Sequence, residues 1–200
     1  KLQELSKLNE LLQNQTKSVN QIQPIDNSFD RKCPCISESR FDGILNYLRH
    51  KNRVQLTSGH KECDVYSKVA NLIDYSNTSD SCYFVYSDAK TNWIDFTFVG
   101  RKIDLYSYQI KSFKGGPGAA HPKTWEIRGL DDQNQWDVLD RRENCSDING
   151  VSICKQFICQ TPTHKQYRCI RFYLFDSWSS RNPFIILMCR FELYGDVYKT

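Results

Sequence analysis

The sequence predicts an all-β domain, an antiparallel sandwich or barrel, with one short helix in front of it and a separate N-terminal helix. Three observations carry that expectation. From Val54 to the C-terminus apolar and polar residues alternate in blocks of strand length. Stretches rich in Gly, Pro, Asp, Asn and Ser separate those blocks, and no helical period intervenes between them. Aromatic residues make up 13% of the chain, with 11 Phe, 11 Tyr and 4 Trp against 1 Met, a bias toward residues that suit pleated, half-buried surfaces.

The elements follow in order. Residues 1–23 are rich in Leu, Gln, Asn and Lys without Gly or Pro. With Leu5 at heptad position a, Leu12 and Val19 also fall at a, while Leu8, Gln15 and Ile22 fall at d. Leu5, Leu8, Leu12, Val19 and Ile22 therefore form the seam of a short coiled coil or of a docking helix, which ends at Pro24. Three heptads are marginal alone, so firm ordering is expected only inside a larger assembly. Residues 24–37 mix Pro, Asp, Asn and Ser with few apolar positions and read as a linker. The domain proper is expected over residues 38–200. Ser39-Arg40-Phe41-Asp42 resembles a capping box with Asp in place of Glu or Gln, and Phe41, Ile44, Leu45 and Leu48 then repeat at helical spacing up to about His50. Strand-like blocks recur at Trp93 to Phe98, Leu105 to Phe113, Thr124 to Leu130, Trp136 to Arg142, Val151 to Cys159, Tyr167 to Phe175 and Phe184 to Tyr194. Trp125 and Trp136 fall in these patterns as core residues.

Composition excludes several classes of function. The 200 residues carry 27 Lys and Arg against 23 Asp and Glu, a net charge of +4 that is too mild and too evenly spread for a nucleic-acid stripe. The longest apolar run, Phe184 to Cys189, has the length of a strand and falls far short of a membrane span. The chain opens at Lys1 without an initiator Met or an apolar leader and is read as part of a longer polypeptide. Nine cysteines leave at least one thiol unpaired, which points to reduced, buried thiols and to the cytoplasm. Asn-x-Ser/Thr triplets at Asn14, Asn77 and Asn144 would favour secretion only if glycosylated. Cys33, Cys35, His60 and Cys63 offer four zinc-type ligands, but without finger spacing.

Several blocks in this order resemble one family. Ser107-Tyr108-Gln109-Ile110, a Gly-rich loop, His121-Pro122-Lys123-Thr124-Trp125-Glu126-Ile127, Asp131-Asp132, Trp136 and Leu139-Asp140 are similar to the middle of discoidin-like domains, also called coagulation factor 5/8 type C domains. Tyr167-Arg168-Cys169-Ile170-Arg171-Phe172 resembles the family's Arg-rich strand, and Cys189-Arg190-Phe191-Glu192-Leu193-Tyr194-Gly195 its closing strand. The likeness covers about residues 54 to 197. Phe41-Asp42-Gly43-Ile44-Leu45-Asn46-Tyr47-Leu48 matches a segment that precedes the sandwich in intracellular, protist-type members that follow coiled-coil regions. Secreted relatives pin their ends with a disulfide whose second Cys follows the terminal Gly, and here Asp196 holds that place. The resemblance implies a jelly-roll sandwich of the galactose-binding-like kind, with ligands meeting loops at one end. Those loops are 58 to 66, 76 to 90, 114 to 122 and 176 to 184.

Catalysis has little support. The chain has no strained G-x-S-x-G elbow and no phosphate-cradling glycine motif, and its four histidines are scattered, so no enzyme is expected. Trp178, among Ser, Arg and Asn and near Arg181, has the composition of a recognition hot spot. With His121 and Lys114 it makes up the candidate binding set. The candidate loops lack paired apolar tips, so membrane insertion is not expected. The resemblance also implies a structural calcium, for which Asp74, Asp80 and Glu192 are candidates, although Glu192 fits better as the partner of an Arg at a sheet edge. No other cofactor is expected. The favoured function is a non-catalytic protein-binding scaffold, docked through its loops and residues 1–23 into a homo- or hetero-assembly, a cytoskeletal one being the natural case. The alternative is a carbohydrate-binding, lectin-like module, since sugars stack on exposed aromatic faces.

Overall fold

The computed structural model describes residues 28–37, 39–59, 68–76, 92–161, 163–181 and 183–200, with the backbone alone of 84–87. It is an antiparallel β-sandwich of jelly-roll type. One sheet runs β1 (Phe29–Cys33), β10 (Ile185–Lys199), β5 (Arg101–Ser112), β8 (Cys154–Ile158), with β3 (Phe84–Ser87) also on β10. The second runs β2 (Val54–Ser58), β4 (Trp93–Phe98), β9 (Cys169–Ser177), β6 (Pro122–Leu130), β7 (Trp136–Arg142). Helix α1 (Ile44–Arg49) and a 3-10 turn (Val69–Ile73) pack on β10 of the first sheet and also contact β2, the edge strand of the second, and their apolar residues join the core. The seam residues Leu5, Leu8, Leu12, Val19 and Ile22, together with Asp80, His60, Cys63 and Cys82, lie outside the described residues.

The period-two pattern becomes the core. Ile94, Phe96 and Phe98 of β4, Ile170, Phe172 and Leu174 of β9, and Phe191 and Leu193 of β10 all point between the sheets and are at most 4% exposed. Phe96 stacks on Phe191 at 5.0 Å and 11°, Tyr108 on Phe157 at 5.3 Å, and Trp125 meets Phe157 edge-on at 5.4 Å. Each of these side chains contributes about 1.5–3 kcal/mol by burial, and the offset ring geometry adds to it. The polar ends of the ring cluster are satisfied in place: Trp125 Nε1 donates to Tyr108 Oη at 2.9 Å, and Tyr108 donates to Asp140 Oδ2 at 2.5 Å. Arg142 Nε reaches the same Asp140 oxygen at 2.8 Å, so the buried carboxylate has its counter-ion.

The register of the long β5–β10 pair shifts twice: at Cys189, between Met188 facing Ser112 and Arg190 facing Lys111, and where Tyr194 faces Ser107 but Gly195 faces Leu105, leaving Tyr106 as the extra residue of a bulge. A side chain at Gly195 would come within 2.0 Å of Asp104 O, which is why glycine stands there. Gly43 does the same for the helix. A Cβ at Gly43 would meet Leu193 O at 2.2 Å, so its absence lets the start of α1 sit on β10.

Four expectations need correction. The linker 24–37 contains β1, whose residues Phe29 to Cys33 pair with Tyr198 to Gly195. Only Cys33 of that strand is buried, so it shows no apolar alternation, and the exposed backbone edge of β10 is what recruits it. The 3-10 turn, with Val69, Leu72 and Ile73 buried, falls in a region expected to hold strands only. The capping box does not form: the N-cap of α1 is Gly43, with no side-chain hydrogen bond, and the cap comes from Glu192 in β10. Trp136 is not in the core but 36% exposed on the outer face of the second sheet.

Candidate ligand-binding end of the sandwich

Strands β2, β5, β7 and β9 end at one pole of the sandwich, and β4, β6, β8 and β10 begin there. The connections 113–121, 143–153 and 178–184 therefore meet at that pole. The expected loops 58 to 66 and 76 to 90 lie mostly outside the described residues, and the part of the second that is described, Phe84–Ser87, is strand β3 rather than loop.

The three described loops brace one another through backbone. Trp178 N donates to His121 O at 2.9 Å, its ring Nε1 to Cys145 O at 3.0 Å, and Cys145 N to Lys123 O at 2.9 Å. Asn149 Oδ1 accepts from Gly118 N at 2.9 Å and lies 3.4 Å from His121 Nδ1. His121 Nε2 lies 3.2 Å from Phe113 O, so the ring stands between two acceptors. Burial pushes the His121 pKa down and keeps the ring neutral. Ser112 closes the set, its Oγ donating to Gly150 O at 2.7 Å and accepting from Ile153 N at 2.8 Å.

The pole carries exposed groups on this frame. Trp178 is half-buried, with Lys123 Nζ 5.2 Å from its ring centroid and held there by Asp176 Oδ2 at 2.9 Å. Lys114, Gly116 to Gly118, Ser180, Arg181 and Pro183 are exposed, and Phe184 is 37% exposed. An aromatic face, cations and hydroxyls on rigid loops suit a polar ligand with an apolar side.

Sequence-derived candidates divide at this point. Trp178, Lys114 and Arg181 stand at this pole. His121 stands there too, yet it is fully buried and braces loops, which corrects its place in a contact surface. The loop 143–153, with Cys145 and Asn149, was not anticipated as part of the pole; it carries turn residues but no chemical motif, and only the topology reveals it.

Of the calcium candidates Asp80 lies outside the described residues, and Asp74 and Glu192 each have other partners. Asp74 Oδ1 accepts from Ser76 Oγ at 2.5 Å and pairs with Arg49 at 3.5 Å; the Ser76 hydrogen bond, ahead of the nearby arginines, holds its pKa below the usual range. Glu192 is fully buried, and its oxygens accept from Leu45 N at 2.7 Å, Asn46 N at 3.1 Å and Leu193 N at 2.9 Å. The expected arginine partner is thus replaced by backbone amides. Among the described residues no three His, Cys, Asp or Glu side chains are placed to hold a metal ion. No helix among them is long and apolar enough to cross a membrane.

No protein-family model and no curated protein sequence matches the chain. Solved structures do. A family 32 carbohydrate-binding module of EndoD from Streptococcus pneumoniae superposes with a TM-score of 0.55 at 10% identity, over 71% of this chain and 95% of that one. An F5/8 type C domain from Bacteroides fragilis superposes with a TM-score of 0.54 at 10% identity, over 73% and 93%. A family 89 glycoside hydrolase from Clostridium perfringens gives 0.50 at 15% identity over 72% of this chain but only 14% of its own. At these identities the likeness establishes the fold, that of F5/8 type C domains and family 32 carbohydrate-binding modules.

Proposed function

We propose that this chain is a non-catalytic carbohydrate-binding module whose ligand meets the pole formed by loops 113–121, 143–153 and 178–184. The observation that carries the reading is Trp178, a half-exposed ring on a braced loop beside Lys123, on a fold shared with carbohydrate-binding modules. A pyranose offers C–H groups to an aromatic face and hydroxyls to Lys114, Ser180 and Arg181 around it. This ranks the glycan reading above the protein scaffold, whose main carriers, residues 1–23, lie outside the described residues. Residence in the cytoplasm belongs to the same proposal; thiols rather than disulfides at Cys33, Cys145, Cys159 and Cys169 support a reducing compartment.

The test is a glycan array probed with the full chain, displaying galactose-, N-acetylgalactosamine-, glucose- and mannose-terminated structures. Retention of defined glycans is expected, with Trp178→Ala weakening it about tenfold or more while leaving the melting temperature within a few degrees. Binding to no glycan, or binding indifferent to Trp178→Ala and Arg181→Ala, would overturn the reading.

A further inference from the structure

The pole opposite the ligand loops carries a concentration of charge that the glycan reading does not use. Strand β2 begins there after Arg53, the β4–β5 turn places Val99, Gly100 and Arg101 there, and β10 ends there at Lys199. β1 starts beside them, with Ser28 O accepting from Lys199 N at 2.6 Å. Arg53 O accepts from Val99 N at 2.8 Å, and its guanidinium Nη1 lies 3.2 Å from the position a Cβ on Gly100 would take. Arg31 and Lys51 complete the group, 4.7 and 4.4 Å from the centre of the Tyr47 ring. The cations converge on Asp30: burial raises its pKa, but the Arg101 hydrogen bond at 2.8 Å and the charges of Arg101, Lys199 and Lys51 hold it below the usual carboxylate range.

The charge of this group is not neutralised. Elsewhere Lys123, Arg128, Arg141, Arg142, Lys165 and Arg171 each meet a carboxylate. Here Arg101 is taken by Asp30, whereas Arg31, Lys51, Arg53 and Lys199 are exposed and pair with no carboxylate among the described residues. With Asp42, which borders the cleft of Arg31, Tyr47 and Lys51, five cations stand against two carboxylates, an excess of three on a chain whose net charge is +4. Excess charge at one pole draws an anionic partner and steers its approach.

The surroundings of the cations restrict the partner. Asp30 and Asp42 are interleaved with them, so an unbroken row of phosphates, as on a nucleic acid, meets repulsion as well as attraction. The exposed apolar residues, Phe29 at 43% and Val99 at 37%, stand singly on different elements, which leaves an anionic bilayer no paired apolar tip to receive. A polypeptide spaces its carboxylates along a flexible chain and alternates them with apolar side chains, so it can straddle Asp30 and cover Phe29 and Val99. Residues 1–23, read from the sequence as a seam for docking on other chains, join the domain here through Ser28, so a protein held by that seam would reach this pole as well.

We propose that this pole is a docking surface for an acidic polypeptide segment, one in which Glu or Asp residues are interspersed with apolar ones. It shares no residue with the loop pole, and neither reading depends on the other. The test is fluorescence anisotropy and amide NMR on the full chain with a labelled peptide of Glu-Glu-Leu repeats as probe, beside a Lys-Lys-Leu repeat of equal length, a DNA duplex and vesicles of phosphatidylcholine with phosphatidylserine. The acidic peptide is expected to bind at least about tenfold more tightly than the basic one, and raising the salt should weaken it. Amide shifts should fall at residues 29–31, 47–53, 99–101 and 198–199. Lys51→Glu, Arg53→Glu and Lys199→Glu combined should cost about tenfold or more with an unchanged melting temperature, since all three side chains are exposed and none holds a carboxylate. Arg181→Glu at the loop pole should cost less than about twofold. Absence of binding, equal binding of the basic peptide, an equal loss on Arg181→Glu, or shifts confined to residues 113–121 and 178–184 would each overturn the proposal. Tighter binding of the duplex or of the vesicles would overturn it too, and would assign the surface to a nucleic acid or to a lipid headgroup.

Discussion

The two sheets meet solvent in opposite ways. On the first sheet the 40–46 segment lies over a row of polar side chains, Arg40 O accepting from Tyr194 and the amides of Leu45 and Asn46 donating to Glu192. Gln109 and Glu192 are fully buried there, Tyr194 is 1% exposed, Arg190 5% and Asp196 7%. The outer face of the second sheet has no covering element among the described residues. It is tiled by its own side chains. Arg171 lies between Trp93 and Trp136, 4.4 and 4.3 Å from their ring centroids, and grips Asp95 through two hydrogen bonds of 2.6 and 2.8 Å. Arg128 covers Tyr173 at 4.5 Å, Arg141 covers Phe175 at 5.1 Å, and both reach Glu126.

The difference lies in how much each face tolerates. In a covered polar row water cannot repair a lost partner, so each broken hydrogen bond is costly; of this row only Asp196 Oδ1 lacks a partner among the described residues. Tyr194 shares its single proton between Arg40 O at 2.9 Å and Gln109 Oε1 at 2.5 Å, and Tyr106 donates to Asp196 Oδ2 at 2.5 Å. A tiled open face is held by many weak, partly solvated contacts, each of which water can replace.

The largest effect that would break this contrast concerns Glu192. Glu192→Ala leaves Leu45 N, Asn46 N and Leu193 N buried without an acceptor, at about 1–3 kcal/mol for each unsatisfied group. A net loss of about 3–5 kcal/mol is expected in urea denaturation, with α1 losing amide-exchange protection first. A loss below about 1 kcal/mol would show that α1 is not held through this carboxylate.

The second effect is pH dependence. Burial, only partly opposed by the backbone amides, raises the Glu192 pKa from 4.5 to about 7. Its folded-state pKa lies above the unfolded one, so its favourable contribution is complete below about pH 4.5 and is lost as pH rises toward 7. The wild-type chain should therefore lose on the order of 3 kcal/mol from this group between pH 4.5 and 7.5. Glu192→Gln should flatten that slope, as measured by denaturation at several pH values. An unchanged slope would assign the titration to another group.

The smallest effect lies on the open face. Arg171→Ala removes two cation–π contacts of about 0.5–1 kcal/mol each and one partly exposed ion pair, so a loss of about 1–2 kcal/mol is expected. Arg171→Lys should recover less than half, because an ammonium group cannot fill the planar slot between two indoles while also making a two-point contact with Asp95. If Arg171→Ala costs as much as Glu192→Ala, the open face is as demanding as the covered one and the contrast fails.

What the chain determined by itself was local and periodic. Alternation placed β4 to β10 within a few residues, because an inward side chain at every second position is a property of the strand alone; β4 and β7 match their expected limits, whereas β3 lies in the expected loop 76 to 90. The spacing of Ile44, Leu45 and Leu48 located α1 in the same way. Trp178 stood out as an aromatic in a polar loop. What the tertiary structure decided were the partners. Phe29–Cys33 carries no periodic signal and becomes a strand because β10 offers an unpaired edge. Glu192 reads as a strand carboxylate, and it becomes the cap of a helix 147 residues earlier in the chain because sheet and helix close over it. His121 turns inward and Trp136 outward for a related reason: residue type sets what a side chain can bond to, whereas burial is set by which neighbours the fold brings over it.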